Sequence, residues 1–500
     1  MWSRVGSTSA IIHTFIKKDS HFLPINPCST QLATLNFLPS PQPSTMPHSS
    51  RVAVIGAGAG GLVSARELSR EDHHVVVFER NTQIGGAWVY SPEIESDPLG
   101  VDPDRTRIHS SLFKSLRTNI PRELMGVRDF PFVPREGEDR DPRRFPSHQE
   151  VRKYLEDFAN EFGVYKFVRF GTEVVFAGLE ELGKWRIEFR CENGDVDYEI
   201  FDAVVVCVGN YSQPRVAEIP GIDGWPGEQV HSHNYRDPEP FRGKVVVLIG
   251  YSSSGTDISQ ELIGVAKEIH IVWRSPKTEL LDRESIISNV SFHPMIESVC
   301  KDGTVVFQDG CVVSADVILH CTGYNYHFPF LETNGNVTVD DNRVGPLYKH
   351  VFPPALAPGL SFVGLPFKVI PFPLFELQSN WVAGVLSKRI ALPSKEEMLA
   401  DVKAFYEDLE ALGKPKHRTH LLGDYMMPAY CNWVATTCGC PPYEEWRKEM
   451  NISVHLYRLP NLKTYRDDWH DDELIRQAYE EFSKYNTNVR SQNNSNLNAS

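Results

Sequence analysis

Residues 52–61 read VAVIGAGAGG and are the stretch that decides the fold of this chain of 500 residues. The apolar residues 52–55 predict a short strand, and the segment from Leu62 to Leu68 continues as a helix after the glycines. A second predicted strand, Val75–Phe78, ends in the acidic residue Glu79. Strand, glycine turn, helix and strand together predict a βαβ unit that binds a dinucleotide.

Each glycine of this first unit has its own physical role. Gly56 permits the tight turn, Gly58 lets a pyrophosphate approach the backbone, and Gly61 lets the helix pack closely on the strand. The helix N-terminus directs its free N–H groups and its positive dipole end at the phosphates. Because a carboxylate at Glu79 can accept hydrogen bonds from both hydroxyls of an adenosine ribose, the unit is predicted to bind an adenine dinucleotide.

Residues 245–255 read VVVLIGYSSSG and begin a second unit of the same kind. A helical stretch through Leu262 and a strand, Ile269–Trp273, follow them. This strand ends in Arg274, where the first unit has an acid. An acid would repel a 2′-phosphate, whereas a guanidinium binds it bidentately, so the second nucleotide is predicted to be NADP and not NAD. The alternative is that Arg274 is a solvated residue at a strand end.

The spacing of the two glycine runs predicts the domain organisation. They start 194 residues apart, which is too far for two halves of one nucleotide domain. The predicted fold class is therefore α/β, with two nested Rossmann-type dinucleotide-binding domains, the second inserted into the first. The predicted segments are a disordered extension or transit peptide at 1–49, the first part of the outer domain at 50–214, the inserted domain at 215–325, the second part of the outer domain at 326–470, and a C-terminal helix with a disordered tail at 471–500.

Composition and charge limit the class of partner. The chain is 41% hydrophobic and 23% charged, which suits a globular protein with large cores. Its net charge of −14 argues against binding to nucleic acid or to an anionic membrane surface and favours a small-molecule partner. The sequence contains no apolar run of about 18 residues, so no membrane span is predicted. The expected location is cytoplasmic, with plastid or mitochondrion as the alternative if residues 1–45 are a transit peptide.

The cysteine pattern separates two uses of such a fold. The nine cysteines are scattered and odd in number, as is typical of reduced thiols inside cells. Disulfide reductases with two nucleotide domains carry a redox cysteine pair soon after the first unit, but this chain has no cysteine between Cys28 and Cys191. With the reductase excluded, the remaining interpretation is that the first nucleotide is a flavin, which passes electrons to a molecule that diffuses into the site. The pair Cys438 and Cys440 hints at a metal or a redox bridge, although no second Cys/His pair at zinc spacing follows it.

Several motifs make the chain resemble the flavin-containing monooxygenases, and closely the plant branch that S-oxygenates methylthioalkyl glucosinolates. Residues 225–235, WPGEQVHSHNY, resemble the family's identifying motif FxGxxxHxxx(Y/F), with Trp225 in place of the usual Phe. The motif ends in Tyr235, with Arg236 after it, where Baeyer–Villiger enzymes carry Trp-Pro, and this argues against ester formation. Further matches between about Arg51 and Phe482 are Gly85–Gly86 with Trp88, Ser115–Asn119 followed by Pro121–Arg122, Cys321–Tyr324, and Gly364–Pro366 through Gln378.

This resemblance implies a set of site residues. FAD would be held by Gly56, Ala57, Gly58, Ala59, Gly60, Gly61, Glu79, Gly86 and Trp88. NADP would be held by Gly250, Tyr251, Ser252, Ser253, Ser254, Gly255 and Arg274. Thr118 and Asn119 would lie beside the flavin ring and the nicotinamide ribose, with Asn119 as the catalytic residue that steadies a flavin C4a hydroperoxide. A simple turn role is the alternative for Asn119. No metal is expected, because His231 and His233 have no third ligand nearby, and a packing role is expected for His231.

The implied reaction uses NADPH and O2 to oxygenate a soft nucleophile, the sulfur or nitrogen of a small molecule, with a thioether such as a methylthioalkyl glucosinolate as the expected substrate. One alternative is the auxin-forming branch, which oxygenates indole-3-pyruvate. Its second glycine motif reads GxGxSG, whereas Ser252 occupies the middle position here. The other alternative is a catalytically silent flavin-binding protein, against which Glu79, Arg274 and Asn119 together argue. The sequence leaves a homodimer open.

Overall fold

The computed structural model describes residues 48–274 and 289–485. The predictions for residues 1–45 and for the tail from Asn486 onward lie outside the described residues. Within the described part, no helix is both long and apolar enough to cross a membrane.

The described strands are numbered here in chain order. They are β1 (Arg51–Ile55), β2 (His74–Phe78), β3 (Val168–Arg169), β4 (Thr172–Leu179), β5 (Trp185–Cys191), β6 (Val196–Phe201), β7 (Ala203–Val206), β8 (Glu228–His231), β9 (Val245–Ile249), β10 (Glu268–Val272), β11 (Val290–His293), β12 (Ile296–Val299), β13 (Thr304–Phe307), β14 (Val312–Ser314), β15 (Val317–His320), β16 (Leu331–Glu332), β17 (Thr338–Asp340), β18 (Arg343–Gly345) and β19 (Leu360–Phe362).

The described α-helices are numbered in the same way. They are α1 (Ala59–Arg70), α2 (Arg122–Met125), α3 (His148–Glu161), α4 (Ser253–Leu262), α5 (Pro371–Leu386), α6 (Lys395–Ala411), α7 (Gly423–Cys438), α8 (Glu445–Arg458), α9 (Tyr465–Asp468) and α10 (Asp472–Phe482).

The first sheet is parallel throughout, with strand order β19-β7-β1-β2-β3. Its central strand β1 is apolar in nearly every position because both faces are covered. Val52 and Val54 point into a core shared with helices α1 and α5. Ala53 and Ile55 point into a second core on the other face, beneath the sheet of order β16-β4-β5-β6.

The second sheet repeats this build, with strand order β8-β15-β9-β10-β11, again parallel throughout. Val246 and Leu248 of its central strand β9 face a core that includes Ile258 and Leu262 of α4. Val247 and Ile249 face the opposite core, beneath the antiparallel sheet β12-β13-β14. The predicted α/β class with two Rossmann-type units is confirmed.

The two sheets differ in how the chain supplies their outer strands. In the first sheet, β19 lies next to β7 and comes from far along the chain, after the whole second sheet. In the second sheet, β8 holds the matching place beside β15 and precedes the glycine run. The second unit is therefore enclosed within the sequence of the first.

The C-terminal helices form a layer on the first unit. Met398 of α6, Val434 of α7, Met450 of α8 and Phe482 of α10 are all buried in the core that also contains α1 and α5. Apolar side chains of these helices thus complete the core of the first unit. The helix predicted after residue 471 is α10.

Candidate functional site

The first glycine turn has a backbone geometry that only glycine satisfies at two positions. Gly56 has a φ of +100°, and its N–H donates to the carbonyl of Phe78 over 2.8 Å. A Cβ on Gly56 would lie 2.8 Å from the Cys207 carbonyl oxygen, and a Cβ on Gly61 would lie 1.8 Å from the Gly56 oxygen. These two glycines are therefore fixed by the turn and by the close packing of α1 on β1.

Gly58 is different, because the protein's own packing does not require a glycine there. Its φ is −73°, and a Cβ would meet nothing closer than the Cα of Gly86 at 3.6 Å. Gly58 precedes Ala59, the first residue of α1, and Gly60 lies in the first turn of that helix. A cradle that a Cβ would fill, at a helix N-terminus, fits the diphosphate of a dinucleotide.

Glu79 is buried at the end of β2, with 5% of its surface exposed. One carboxylate oxygen accepts the N–H of Ala57 and the other accepts the N–H of Asn81, each over 2.8 Å. These bonds orient the carboxylate at the glycine turn. Since each carboxylate oxygen accepts more than one hydrogen bond, the group retains the capacity to bind ribose hydroxyls.

The segment after β2 lies against the same turn. The N–H of Gly85 donates to the carbonyl of Ala57 over 3.0 Å, and a 3-10 turn, Gly86–Trp88, follows. Gly85 and Gly86 both have positive φ. Trp88 is half-buried and packs against the core of the first unit. The structure therefore brings Gly86 to the glycine turn, with its Cα beside Gly58, and places Trp88 two residues further on.

The second glycine turn reproduces the geometry of the first. Gly250 has a φ of +97° and donates its N–H to the carbonyl of Val272 over 3.0 Å. A Cβ on Gly250 would lie 2.6 Å from the Cys321 oxygen, and a Cβ on Gly255 would lie 2.0 Å from the Gly250 oxygen. The two turns thus share one backbone design, with Ser252 in the place of Gly58.

The remaining predicted residues of this turn surround the N-terminus of α4. Ser252, Ser253 and Ser254 are exposed there, and the Tyr251 ring packs 5.5 Å from Trp273. Arg274 follows the end of β10 by two residues and is exposed. Free helix N–H groups with three exposed hydroxyls, and an exposed guanidinium that follows the neighbouring strand, suit a phosphorylated ligand.

Thr118 and Asn119 lie beside this second turn. The amide of Asn119 donates to the hydroxyl of Ser253 over 3.3 Å, and Asn119 is half-buried in a bend. Thr118 is 4% exposed, and its hydroxyl has no hydrogen-bond partner among the described residues. An unpaired buried hydroxyl costs free energy unless a bound molecule satisfies it, so this position fits a cofactor contact.

His231 and His233 are buried and hold the end of β8 in place. Nε2 of His231 contacts the Gly323 carbonyl over 3.0 Å, and the N–H of His233 donates to Nδ1 of His231 over 3.0 Å. Burial, followed by the neighbouring His233, lowers the pKa of His231 to about 3. His231 is thus hydrogen-bonded between the end of β8 and the segment after β15, which agrees with the packing role expected for it.

Cys438 and Cys440, at the end of α7, are free thiols like the other described cysteines. A hydrogen bond from the Cys438 thiol lowers the pKa of Cys440. Within residues 48–274 and 289–485, no group of three or more His, Cys, Asp or Glu side chains could hold a metal ion.

Sequence reasoning missed three charged residues along the segment 115–119. Asp257 and Glu261 follow Ser253 at intervals of four on α4, and Arg466 of α9 lies between α4 and Thr118. The spacing of four residues on a helix that the glycine run had already located was a usable signal for Asp257 and Glu261. No local pattern marks Arg466, which is 209 residues from its partner Asp257.

Comparisons with known proteins agree with this geometry. The model of the family described as flavin-binding monooxygenase-like matches residues 49–283 and 277–446. Flavin-containing monooxygenase FMO GS-OX-like 3 of Arabidopsis thaliana is 58% identical over 442 residues, which are 88% of this chain and 98% of that protein. FMO GS-OX5 of the same plant is 58% identical over 441 residues, covering 88% of this chain and 95% of that protein.

A solved structure gives a similar result. S-allyl-L-cysteine S-oxygenase from Allium sativum superposes with a TM-score of 0.85 and 55% sequence identity, covering 87% of this chain and 99% of that one. Tmm from Pelagibacter sp. strain HTCC7211, with a TM-score of 0.70 and 24% identity, shares the fold.

Proposed function

Since the chain belongs to the flavin-binding monooxygenase-like family and is a flavin-dependent monooxygenase, we propose that it uses NADPH to place one oxygen atom on the sulfur of a small thioether. NADPH, a proton, O2 and the thioether give NADP+, water and the sulfoxide. The observation that carries the sulfur assignment is the 55% identity, over 87% of the chain, to a structure named as an S-oxygenase.

The first unit is the proposed FAD site. Gly58 leaves a cradle for the diphosphate, the N-terminus of α1 faces it, and the buried Glu79 carboxylate is oriented for a ribose. When bound, the flavin supplies electron transfer from NADPH to O2 and delivery of an oxygen atom, so the protein's tasks are binding, orientation and exclusion of water.

The second unit is the proposed NADPH site. Its exposed serines at the N-terminus of α4 provide donors for the diphosphate. Arg274 is proposed to select the 2′-phosphate, because a guanidinium gains charge-assisted hydrogen bonds there that NADH cannot offer. This assignment supports the division of the chain into an outer domain at 50–214 and 326–470 and an inserted domain at 215–325.

Thr118 and Asn119 are the proposed link between the two nucleotides. The Thr118 hydroxyl is buried and lacks a protein partner, so it is available to a cofactor. The Asn119 amide contacts Ser253 with one N–H, which leaves a second N–H and a carbonyl oxygen for a bound group. Such a fixed donor near the reacting atoms stabilises developing charge without reorganisation.

The proposed substrate class is a methylthioalkyl thioether of the glucosinolate type. The relatives at 58% identity that carry GS-OX names support it. A second candidate is an S-alkyl or S-alkenyl cysteine, which the similarity to S-allyl-L-cysteine S-oxygenase favours. Both are soft, neutral sulfur nucleophiles, so the two candidates require the same chemistry from the enzyme.

The test is a set of parallel incubations of the flavin-loaded enzyme with NADPH and one compound each: a methylthioalkyl glucosinolate, S-allyl-L-cysteine and indole-3-pyruvate. We expect gain of one oxygen atom by mass spectrometry with at least one thioether, and a product amount close to the NADPH consumed. Decarboxylated product from indole-3-pyruvate with no sulfoxide would favour the auxin-forming alternative. A protein that binds flavin and consumes no NADPH with any compound would be catalytically silent.

A further inference from the structure

Ser253, Asp257 and Glu261 form a strip along helix α4, and contacts on this strip link the two nucleotide units through the C-terminal helices. We propose that Arg466 is a positioning residue that fixes Thr118 and Asn119 against α4, and thereby sets the fraction of NADPH oxidation that ends in oxygenated product. The inference rests on the proposed function, because it concerns the placement of the residues that act there.

The strip is formed by Ser253, Asp257 and Glu261, which are four residues apart and therefore share one face of α4. Ser253 accepts a hydrogen bond from the Asn119 amide over 3.3 Å. Glu261 accepts one from the hydroxyl of Ser115. The segment 115–119 thus lies along this face of the helix, with a contact at each end of the strip.

Arg466 occupies the middle of the strip. Its Nε donates to the Thr118 carbonyl over 2.9 Å, and its Nη2 donates to Asp257 over 2.7 Å. The side chains of Arg466 and Asp257 are each 16% exposed. Because the guanidinium is a planar, rigid fork, one side chain fixes the distance between the Thr118 backbone and α4.

The first unit in turn holds Arg466 in place. The guanidinium of Arg117 donates to both carboxylate oxygens of Asp467, over 2.8 and 3.0 Å, and its Nε donates to the Phe145 carbonyl over 2.8 Å. The ring of Tyr465, which is 1% exposed, packs 5.5 Å from that of Phe145. Helix α9 is therefore anchored on the core of the first unit while Arg466 reaches the second.

Loss of the Arg466 side chain would affect the placement of Thr118 and Asn119. The Thr118 N–H donates to the Pro146 carbonyl over 2.9 Å, so Arg466 supplies the second backbone contact of this residue. Without the guanidinium, the Thr118 carbonyl loses its donor, and Asp257 loses its closer cation and is left with Arg458, whose Nη2 is 3.9 Å away. A misplacement of about 1 Å at a catalytic group can cost about a hundredfold in rate. Flavin reduction by NADPH needs only the stacking of the two rings, so it should persist while oxygen transfer suffers.

The experiment compares Arg466→Ala with the wild-type holoenzyme, with S-allyl-L-cysteine as the probe. Flavin content, thermal midpoint, NADPH consumed, sulfoxide formed and hydrogen peroxide released are measured together. The matched control is Arg476→Ala, which removes another arginine of the C-terminal helices that is paired with two carboxylates, Glu473 and Glu480, on an exposed surface. We expect the sulfoxide to NADPH ratio of Arg466→Ala to fall about tenfold, less than a full 1 Å displacement would cause. Arg476→Ala should keep the wild-type ratio.

A double substitution separates positioning from general destabilisation. If Arg466 acts through Asn119, Arg466→Ala should change the product ratio by less than about twofold in an Asn119→Ala background, because the effects of residues that act through one another are not additive. A wild-type ratio in Arg466→Ala, or full additivity with Asn119→Ala, overturns the inference. So does an equal loss of flavin, NADPH oxidation and product, which indicates a structural role only.

A second variant, Asp257→Asn, tests the inference if Arg466→Ala folds poorly. Asp257→Asn removes the charge that anchors the Arg466 guanidinium but keeps the side-chain shape and the bond from Arg466 to Thr118. Its ratio of sulfoxide to NADPH should also fall. A wild-type ratio in a well-folded Asp257→Asn protein contradicts the inference. If the wild-type enzyme forms sulfoxide with neither S-allyl-L-cysteine nor a methylthioalkyl glucosinolate, that result contradicts the proposed function itself, which distinguishes the two failures.

Discussion

Asn119→Ala tests the proposed catalytic residue most directly. The structure gives this side chain one protein hydrogen bond, to Ser253 over 3.3 Å, longer than the usual 2.9 to 3.0 Å. Loss of such a bond from a half-buried side chain costs about 0.5 to 1 kcal/mol of folding free energy. That cost lowers the thermal midpoint by about 2 to 4 °C at most in a chain of this size.

The catalytic cost should be much larger than the structural cost. Removal of one preorganised donor from a site of developing charge typically costs about a hundred- to a thousandfold in rate, or about 3 to 4 kcal/mol. Asn119→Ala should therefore keep its flavin and still consume NADPH, while sulfoxide falls by about that factor and hydrogen peroxide takes its place.

The assay measures NADPH, sulfoxide and peroxide in one reaction, beside Ser253→Ala as the matched control. Ser253→Ala removes the same hydrogen bond but leaves the Asn119 amide present. Measured at saturating NADPH, because Ser253 is also a proposed NADPH contact, its ratio of sulfoxide to NADPH should fall about tenfold, as for Arg466→Ala, and not by the full factor. An unchanged ratio in well-folded, flavin-loaded Asn119→Ala would refute the catalytic role. Equal losses in both variants would show that the hydrogen bond, and not the amide's own action, matters.

Four further outcomes are expected. Gly58→Ala should fold normally and lose bound flavin, because its Cβ enters the diphosphate cradle; a flavin content by absorbance equal to that of the wild type would contradict the assignment. Arg274→Ala should weaken NADPH binding by about ten- to a hundredfold with NADH almost unchanged, and equal losses of the two affinities would show that Arg274 does not contact the 2′-phosphate. Removal of residues 1–45 should leave the thermal midpoint and the activity unchanged, because the family match begins at residue 49 and the removed stretch lacks apolar periodicity. Acid should destabilise the fold, because burial lowers the pKa of His231 to about 3 and only the unfolded state takes up this proton between about pH 6.5 and 3. The free energy of unfolding therefore falls as the pH falls through that window, by about 2 kcal/mol from this group at pH 5, and urea titrations at pH 7 and pH 5 should show a smaller drop for His231→Gln than for the wild type.

The sequence predicted the two nucleotide units because their decisive features are local. Gly56 and Gly250 each follow a strand directly, and Gly61 and Gly255 lie in the first turn of the helix that comes next, so each unit is defined within a dozen residues. Only glycine accommodates the positive φ of Gly56 and the contact of Gly61 with the turn, so the residue type reports the backbone geometry directly. The strand-end residues Glu79 and Arg274 belong to the same short units.

The outer strands of the sheets could not be predicted from local sequence, because their pairing partners lie in distant parts of the chain. The strand β19 joins the first sheet from residues 360–362, beside β7 at residues 203–206. Short strands with such distant partners carry almost no local pattern of their own, because cross-strand contacts and burial decide their pairing.

The site beside Asn119 likewise required the tertiary structure. Asn119 meets Ser253 across 134 residues, and Arg466 meets Thr118 across 348. By itself, the sequence determined which residues build the two glycine turns and which charge ends each strand, because turn sterics and helix N-termini act within one unit. Only the tertiary structure decided which face of α4 meets the segment 115–119 and that a C-terminal arginine joins them. Those contacts arise from the packing of two cores against each other, and no spacing along the chain encodes that packing.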